Sequence, residues 1–411
     1  MISLKQASKP LASALLVFAS VHVDAQILSE EGAVELDRYL AETIGTTRIP
    51  GLVALVVNKD GILYENSFGL MESANNKPMS TDAIFNMASM TKPITSTLIM
   101  MLIEEGKVEL DAPVSTYLPA LTNQQVFTAF NQDNGIFTAE PVKNGMTVRQ
   151  LLTHTSGIGY TFTSDILNKL MTGVPGARAT SYPLLFEPGT LWHYGESTRV
   201  LGEIVAAVTG QELYTYMKER LLDPLGMQDT SYDIAAEKNS RVVTVHHSDG
   251  TQLIETPKTA GAISSPHNGD GGLSGTANDY SKFIRLILNN GNVNGKQLLK
   301  PETVALMSQS GTGDVRVQTM HSTNTLVSED FPLGAGIDTY ALGFQRTEAQ
   351  MPGLRSVGSL AWAGIFNTEF WIDPEKEIGA VLMMQYMPFY DADAIAVLQG
   401  FEQRVYSNLE E

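Results

Sequence analysis

The segment Phe85-Asn86-Met87-Ala88-Ser89-Met90-Thr91-Lys92-Pro93 opens an apolar stretch that has the pattern of a helix. Ser89 and Lys92 are three residues apart, so on a helix they share one face and their hydroxyl and amine can meet. A serine hydroxyl becomes a good nucleophile when a nearby base takes its proton, and a desolvated lysine can be that base. The N-terminus of the helix adds free backbone N–H groups that suit a developing oxyanion.

The same segment also fits a purely structural role. Ser89 could cap the helix, with Pro93 in its first turn and Lys92 in solvent. A serine three residues before a lysine is expected about once by chance in a chain of ordinary lysine content. The choice between the two interpretations therefore depends on the rest of the chain.

The composition describes an acidic globular protein. The chain has 411 residues, of which 43% are hydrophobic, enough for one large domain or two closely packed ones. Its formal net charge is −18 and it has no basic patch, which argues against nucleic acid and anionic membranes as partners. The absence of cysteine excludes disulfides, thiolate metal sites and cysteine nucleophiles. We expect no cofactor and no metal, and the oligomeric state stays open.

Residues 1–25 have the pattern of a secretory signal peptide. Lys5 and Lys9 precede an apolar run over 11–23 that is too short to span a bilayer. Val23-Asp24-Ala25 then resembles a cleavage site, although the segment could instead be disordered or remain as a membrane anchor. We expect the mature protein to begin at Gln26, to be periplasmic or secreted, and not to be inserted in a membrane.

Strand patterns lie near both ends of the chain and helix patterns lie between them. Residues 51–57 and 62–68 predict one hairpin, and residues 365–372 and 378–384 predict a second. Helices are predicted over about 89–105, 147–153, 197–208, 213–222, 278–288, 302–307 and 391–405.

This arrangement predicts an α/β (α+β) fold for one domain over residues 26–411. Its antiparallel sheet is expected from about 26–85 and 336–411, with a mostly helical region over 86–335 inserted between the two parts. Residues 158–192 are expected to be surface excursions, and the polar stretch 308–335 a mobile loop near a site. No serine lies in Gly-x-Ser-x-Gly, which removes the α/β-hydrolase nucleophile elbow, and His-Glu-x-x-His is absent.

Three other segments agree with chemistry at Ser89. Tyr194 stands just before a predicted helix, where its hydroxyl can donate and accept protons. Trp362-Ala363-Gly364 comes directly before the predicted strand, and its small residues would let the Ile365 N–H complete an oxyanion hole with the Ser89 N–H. The third consists of His154-Thr155-Ser156-Gly157 together with Gly271-Gly272-Leu273-Ser274.

In order and spacing, these segments resemble the serine β-lactamase and penicillin-binding-protein superfamily, from about residue 51 to residue 385. The resemblance is to the class C-like branch and, within it, to the β-lactamase-like carboxylesterases called family VIII esterases. It implies a β-lactamase/DD-peptidase-like fold, with Ser89 as acyl-accepting nucleophile, Lys92 sharing its proton and Tyr194 acting as general base with Lys92. It also implies that Trp362-Ala363-Gly364 occupies the place of the Lys-Thr-Gly motif and that residues 154–157 form a structural turn.

Two departures from the family pattern bear on the substrate. Glu196 replaces the asparagine of the Tyr-x-Asn motif, and is expected either in solvent at a helix start or near the substrate. Trp362 replaces the lysine of Lys-Thr-Gly, and an indole packs against apolar groups rather than holding a carboxylate. We therefore expect a small-molecule ester with a short acyl chain as substrate. The alternatives are a β-lactamase, D-amino-acid peptidase or small-amide hydrolase, or a non-catalytic protein that keeps the fold.

Overall fold

A computed structural model describes residues 27–248, 253–256 and 267–410. The predicted signal peptide over 1–25 and its cleavage before Gln26 lie outside these residues. Across the described ranges, no helix combines the length and apolar character that crossing a membrane requires.

An eight-stranded antiparallel sheet forms the centre of the protein. Its strands are β1 (Gly51–Asn58), β2 (Ile62–Glu72), β3 (Lys77–Pro78), β4 (Thr339–Tyr340), β5 (Gln345–Arg346), β6 (Leu360–Gly364), β7 (Thr368–Asp373) and β8 (Ile378–Met384). They lie in the order β4-β5-β6-β7-β8-β1-β2-β3. The two parts of the chain meet where β8 pairs with β1, with Val381 opposite Leu55. The predicted sheet, built from both ends of the chain, is confirmed.

Most of the remaining regular structure is helical. The helices are α1 (Glu30–Thr46), α2 (Thr91–Glu104), α3 (Val148–Leu152), α4 (Asp165–Met171), α5 (Ser197–Thr209), α6 (Leu213–Met217), α7 (Asp223–Leu225), α8 (Ala277–Leu288), α9 (Pro301–Ser308) and α10 (Ala392–Ser407). Short ladders pair Ile27–Leu28 with Leu409–Glu410, Phe85–Asn86 with Ser274–Gly275, Gln125–Phe130 with Phe137–Pro141, and Asn292–Val293 with Lys296–Gln297. A three-stranded sheet joins Val245–Ser248, Leu253–Thr256 and Tyr386–Met387.

The sheet separates two hydrophobic cores because successive side chains of a strand point to opposite faces. On β1, Leu55 and Val57 belong to the large core shared with the inserted helical region, including α2 and α8. Ala54 and Val56 belong to a smaller core shared with α1 and α10. Both faces of β1 are therefore buried, which explains its continuous run of apolar residues.

The second predicted hairpin starts later than expected. The chain turns at residues 365–367, so Trp362, Ala363 and Gly364 lie inside β6 and not ahead of the first strand. Asn367 causes this turn: it has a left-handed φ of 54°, and its amide donates to the carbonyl oxygens of Tyr386 and Pro388 at 2.8 and 2.9 Å. The strand predicted over 365–372 therefore begins three residues later, at Thr368, while its antiparallel pairing with the strand over 378–384 is confirmed.

Two other local predictions were too simple. The helix predicted over 213–222 is α-helical only to Met217 and continues as a π-helix over Lys218–Leu222. The stretch 158–192, expected as surface excursions, includes α4, whose Leu167 is fully packed into the large core. In both places local composition misrepresented burial that depends on contacts with other parts of the chain.

We expect Gly364→Ala to destabilise the protein by about 1–3 kcal/mol through overpacking. A Cβ on Gly364 would lie 2.3 Å from the carbonyl oxygen of Met87, a backbone atom that cannot rotate away. Urea unfolding measures the change. Gly61→Ala is the matched control, since a Cβ there meets no atom within 4 Å. Equal unfolding free energies for the two variants would contradict the tight contact between β6 and the segment around Met87.

Candidate active site

Ser89 lies in a 3₁₀ turn, Ala88–Met90, that leads directly into α2. Ala88 has a left-handed φ of 45°, which is uncommon for a residue with a Cβ and marks a sharp change of direction. Ser89 thereby lies two residues before the first residue of α2. The strain at Ala88 shows that the position of Ser89 is imposed by the surrounding structure.

The segment before Ser89 is held by a distant part of the chain. Phe85–Asn86 pairs with Ser274–Gly275, and the Met87 N–H donates to the carbonyl oxygen of Leu273 at 2.9 Å. The Thr91 hydroxyl in turn accepts a hydrogen bond from the Leu273 N–H at 3.2 Å. The Gly271–Ser274 segment, noted in the sequence, therefore fixes the turn that carries Ser89.

The side chains of Ser89, Lys92 and Tyr194 meet at one point. The Tyr194 hydroxyl donates to Ser89 Oγ at 2.7 Å, and Lys92 Nζ donates to the same oxygen at 3.1 Å. Lys92 is only 1% exposed, and its amine also donates to the carbonyl oxygen of Asp270 at 2.6 Å. The amine lies 4.8 Å from the centre of the Tyr194 ring. Ser89 is thus not a simple helix cap, and Lys92 is not in solvent.

Tyr160 and Asp270 complete the enclosure of Lys92. The Tyr160 ring centre is 5.3 Å from Lys92 Nζ, and the Tyr160 hydroxyl donates to the Asp270 carboxylate. Burial, together with the charge of Asp270, raises the pKa of Tyr160 well above its ordinary value, so Tyr160 stays protonated and cannot serve as a base. Neither residue was predicted from the sequence; the only signal was that Asp270 directly precedes the Gly271-Gly272 pair.

The two histidines near the site support Tyr194 structurally. The His154 ring centre lies 4.9 Å from that of Tyr194, and the His154 carbonyl accepts from the His193 N–H at 2.9 Å. Burial lowers the pKa of His154 well below its ordinary value and that of His193 to about 4, so both rings are neutral at pH 7. In the described structure neither ring is hydrogen-bonded to Ser89. This position agrees with the structural role expected for residues 154–157.

The other serines of the quoted motifs are engaged elsewhere. Ser156 Oγ is 2.8 Å from Ser197 Oγ in a buried pair, and Ser274 donates to the Asn86 side-chain oxygen at 3.1 Å. Neither serine has a lysine or tyrosine partner. The part of the chain that the structure describes also contains no group of three or more His, Asp or Glu residues able to hold a metal.

Ser89 and Tyr194 open onto a cavity of about 230 Å³. Its wall near Ser89 is apolar and aromatic; the side chains there are Phe162, Met320, Phe331 and Trp362. Met320 and Phe331 belong to the stretch 308–335, which therefore does lie at the site. Ala363, Gly364 and Ile365 line the same cavity. The structure thus brings Ile365, the expected second oxyanion donor, to the cavity that contains Ser89.

Glu196 fits neither of its two expected positions. It is only 8% exposed, so the prediction of a solvated residue at the helix start is wrong. It also does not line the cavity that contains Ser89. Its carboxylate lies 3.7 Å from Arg199, and burial raises the pKa of Glu196. Glu196 is buried because α5, which it precedes, packs against α2 and α3.

Fold and site together define a serine-hydrolase-type enzyme with the β-lactamase fold. The family model described as Beta-lactamase matches residues 36–400, and the chain belongs to this family. The resemblance inferred from the motifs is therefore confirmed.

Named relatives cover most of this chain. Lovastatin esterase of Penicillium rubens is 28% identical over 394 residues, covering 90% of this chain and 98% of the relative. Acyltransferase calJ of Penicillium decumbens is 30% identical over 350 residues, covering 79% and 81%. The unliganded structure of simvastatin synthase (LovD) from Aspergillus terreus shares the fold, with a TM-score of 0.78 at 23% identity, covering 92% of this chain and 99% of that one.

A buried carboxyl, Glu369 on β7, lines the same cavity, and we expect it to make stability fall as pH rises. Burial raises the pKa of Glu369 to about 8, although nearby Arg355 acts in the opposite direction. Between pH 5 and 8 the unfolded chain has lost this proton while the folded protein keeps it, so stability decreases as pH rises. Glu369→Gln should remove a decline on the order of 3 kcal/mol.

Urea unfolding at several pH values between 5 and 8 measures this effect. Glu302→Gln, which replaces an exposed carboxyl on α9, is the control and should follow the wild type. If Glu369→Gln and the wild type lose stability in parallel over this range, Glu369 is ionised in the folded protein.

Proposed function

We propose that this protein hydrolyses carboxylic esters through an acyl-enzyme on Ser89. The observation that carries the proposal is the pair of hydrogen bonds to Ser89 Oγ, from Tyr194 and Lys92, at the mouth of an apolar cavity. A relative named as an esterase and another named as an acyltransferase support this reaction class. The signal-like pattern of residues 1–25 supports action in the periplasm or outside the cell.

In the acylation step, Ser89 Oγ attacks the carbonyl carbon of the ester. Its proton passes to the pair formed by Lys92 and Tyr194, which contact the same oxygen. The negative charge on the former carbonyl oxygen is stabilised by the backbone N–H groups of Ser89 and Ile365. Collapse of this intermediate breaks the bond to the alcohol, and the pair returns the proton to the departing oxygen.

Deacylation repeats these steps with water. Lys92 and Tyr194 take a proton from the water as its oxygen attacks the acyl carbon, and they return a proton to Ser89 as it leaves. The products are a carboxylic acid and the free enzyme. An alcohol in place of water would give acyl transfer, the second candidate activity, which the acyltransferase relative favours.

The charges around the cavity favour neutral substrates. Among the described residues that line it, Arg355 is the one cation, and it is bound to Glu402 by two hydrogen bonds of 2.6 and 2.7 Å. Trp362 stands where the related β-lactamases have a lysine, and its ring centre lies 4.9 Å from that of Tyr194. A substrate carboxylate would lose its hydration without gaining a free cationic partner, which is unfavourable.

The catalytic set predicts the effects of three substitutions. Ser89→Ala should abolish ester turnover, because it removes the attacking oxygen. Lys92→Ala and Tyr194→Phe should each lower kcat by about 10²–10⁴-fold, the range for a positioned acid–base group. Hydrolysis of p-nitrophenyl butyrate measures these effects, and mass spectrometry should find an organophosphonate label on Ser89.

Two controls make this test specific. Ser156→Ala removes a buried hydroxyl that contacts only its neighbours and should retain turnover and labelling. His193→Gln should also remain active, since the His193 ring contacts Thr163 and not Ser89. A label on Ser156 or Ser274, or a folded His193→Gln variant as inactive as Tyr194→Phe, would refute the assignment.

Esters should be better substrates than β-lactams by roughly a hundredfold or more in kcat/KM, since an unpaired buried carboxylate costs at least about 3 kcal/mol. Comparison of p-nitrophenyl butyrate with nitrocefin on one preparation measures this preference. Trp362→Lys restores a cation at this position and should raise nitrocefin turnover relative to the ester. A wild-type enzyme that prefers nitrocefin would replace the esterase proposal with the β-lactamase alternative.

A further inference from the structure

The cavity that begins at Ser89 continues around the edge of the sheet. Strand β5 pairs with β6 only at Leu360 and Ala361, so in the described structure no strand pairs with residues 362–364 on that side. Lining residues lie on both faces of β6 and β7: Trp362 faces the helical region, whereas Ala361 and Trp371 face α10. One cavity therefore joins the nucleophile to a space between the sheet and α10, which we call the second arm.

The second arm is mostly apolar. Trp371 on β7 forms its base, Met351 and Leu354 come from the segment after β5, and Ile395 and Leu398 come from α10. These side chains offer a surface for a hydrocarbon chain or ring. The second arm thus has the chemistry of a binding site for the apolar part of a small molecule.

Glu369 is one of the polar residues in this mostly apolar wall, with Arg355, Gln399 and Glu402. It is 9% exposed, and its neighbours across the sheet are Ala363 and Leu382, neither of which has a side chain able to bond a carboxyl. No described residue makes a hydrogen bond to its side chain. Glu369 lines the cavity, so a ligand bound there can supply the hydrogen-bond partner that the protein does not.

The charged and titratable groups that face Glu369 leave its carboxyl available to bind a ligand. Arg355 lies nearby, but its guanidinium is held by the Glu402 carboxylate of α10. Tyr390, which precedes α10, is the other titratable group close to it. Because the pKa of Glu369 is about 8, its carboxyl carries a proton at neutral pH and can both donate and accept a hydrogen bond.

We propose that the second arm binds the longer, apolar substituent of the ester and that Glu369 makes a hydrogen bond to a hydroxyl or carbonyl group on that substituent. This inference rests on the proposed function of Ser89. It makes the preferred substrate larger than a simple short-chain ester and gives it one polar group on that substituent, in addition to the reacting ester.

Matched ester pairs test the polar contact. One pair is p-nitrophenyl octanoate with its hydroxyoctanoates, which carry the hydroxyl at carbons 6 to 8, too far from the ester for a five- or six-membered lactone to form; the other is octyl acetate with the corresponding hydroxyoctyl acetates. The two pairs distinguish an acyl chain from an alcohol in the second arm. In one pair, wild-type kcat/KM should be about five- to tenfold higher for the best hydroxylated ester, the usual effect of one neutral hydrogen bond.

Two substitutions of Glu369 test whether this residue causes the preference for the hydroxylated ester. Glu369→Leu should remove it, because leucine fills a similar volume without a polar atom, whereas Glu369→Gln should keep most of it. The inference would be overturned if the wild type showed no such preference in either pair, or if Glu369→Leu left the preference unchanged. A stronger preference for an aminooctanoate would also overturn it, because it would indicate a charged carboxylate at Glu369.

A separate variant tests the second arm itself. Ala361→Leu adds side-chain volume at its wall and should lower kcat/KM for the long substituent at least about tenfold in a protein whose thermal unfolding stays cooperative. The affected ratio is p-nitrophenyl octanoate to p-nitrophenyl acetate if the acyl chain occupies the second arm, and octyl acetate to ethyl acetate if the alcohol does. Wild-type values of both ratios in this variant would overturn the inference. The proposed function is tested independently by hydrolysis of p-nitrophenyl acetate, which the wild type should perform and Ser89→Ala should lose. A failure of the proposed function can therefore be distinguished from a failure of this inference.

Discussion

The enclosure of the Lys92 amine is the constraint on which the site depends. A buried amine needs acceptors, and it has two, the Asp270 carbonyl and Ser89 Oγ. The Asp270 carboxylate is in turn bound by the Tyr160 hydroxyl, while the rings of Tyr160 and Tyr194 cover the amine from two sides. Four segments that are far apart in sequence must therefore be in place before Ser89 has its proton-transfer partners.

The electrostatics of the cavity also depend on how its charged groups are paired. The chain as a whole is strongly acidic, yet the arginine that lines the cavity is paired with a carboxylate and the two histidines near Tyr194 are uncharged. Arg355 is bound by Glu402, and burial keeps His154 and His193 neutral. What remains exposed to a substrate is an apolar wall with directed hydrogen-bond donors, an environment that strengthens interactions with charge developing in the transition state.

Local patterns were sufficient to predict the contact between Ser89 and Lys92 and most strands and helices. The spacing of Ser89 and Lys92 predicts their contact because helical periodicity acts over a few residues. The start of β6 could not be predicted in this way, since Trp362-Ala363-Gly364 has no alternating pattern and its position depends on pairing with β7. Asp270 and Glu369 were missed because their importance arises from packing between distant segments. The burial of Glu196 was missed for the same reason.

The central pairing of β8 with β1 has a consequence for synthesis. Ser89 emerges from the ribosome early, but the strand that lines its cavity, and the strand that completes the sheet beside β1, are made near the end of translation. Contacts this distant in sequence form slowly and only once the whole chain is present. Nascent or truncated chains that end before β6 therefore lack part of the cavity at Ser89, and the site is completed as a single late event rather than by stages.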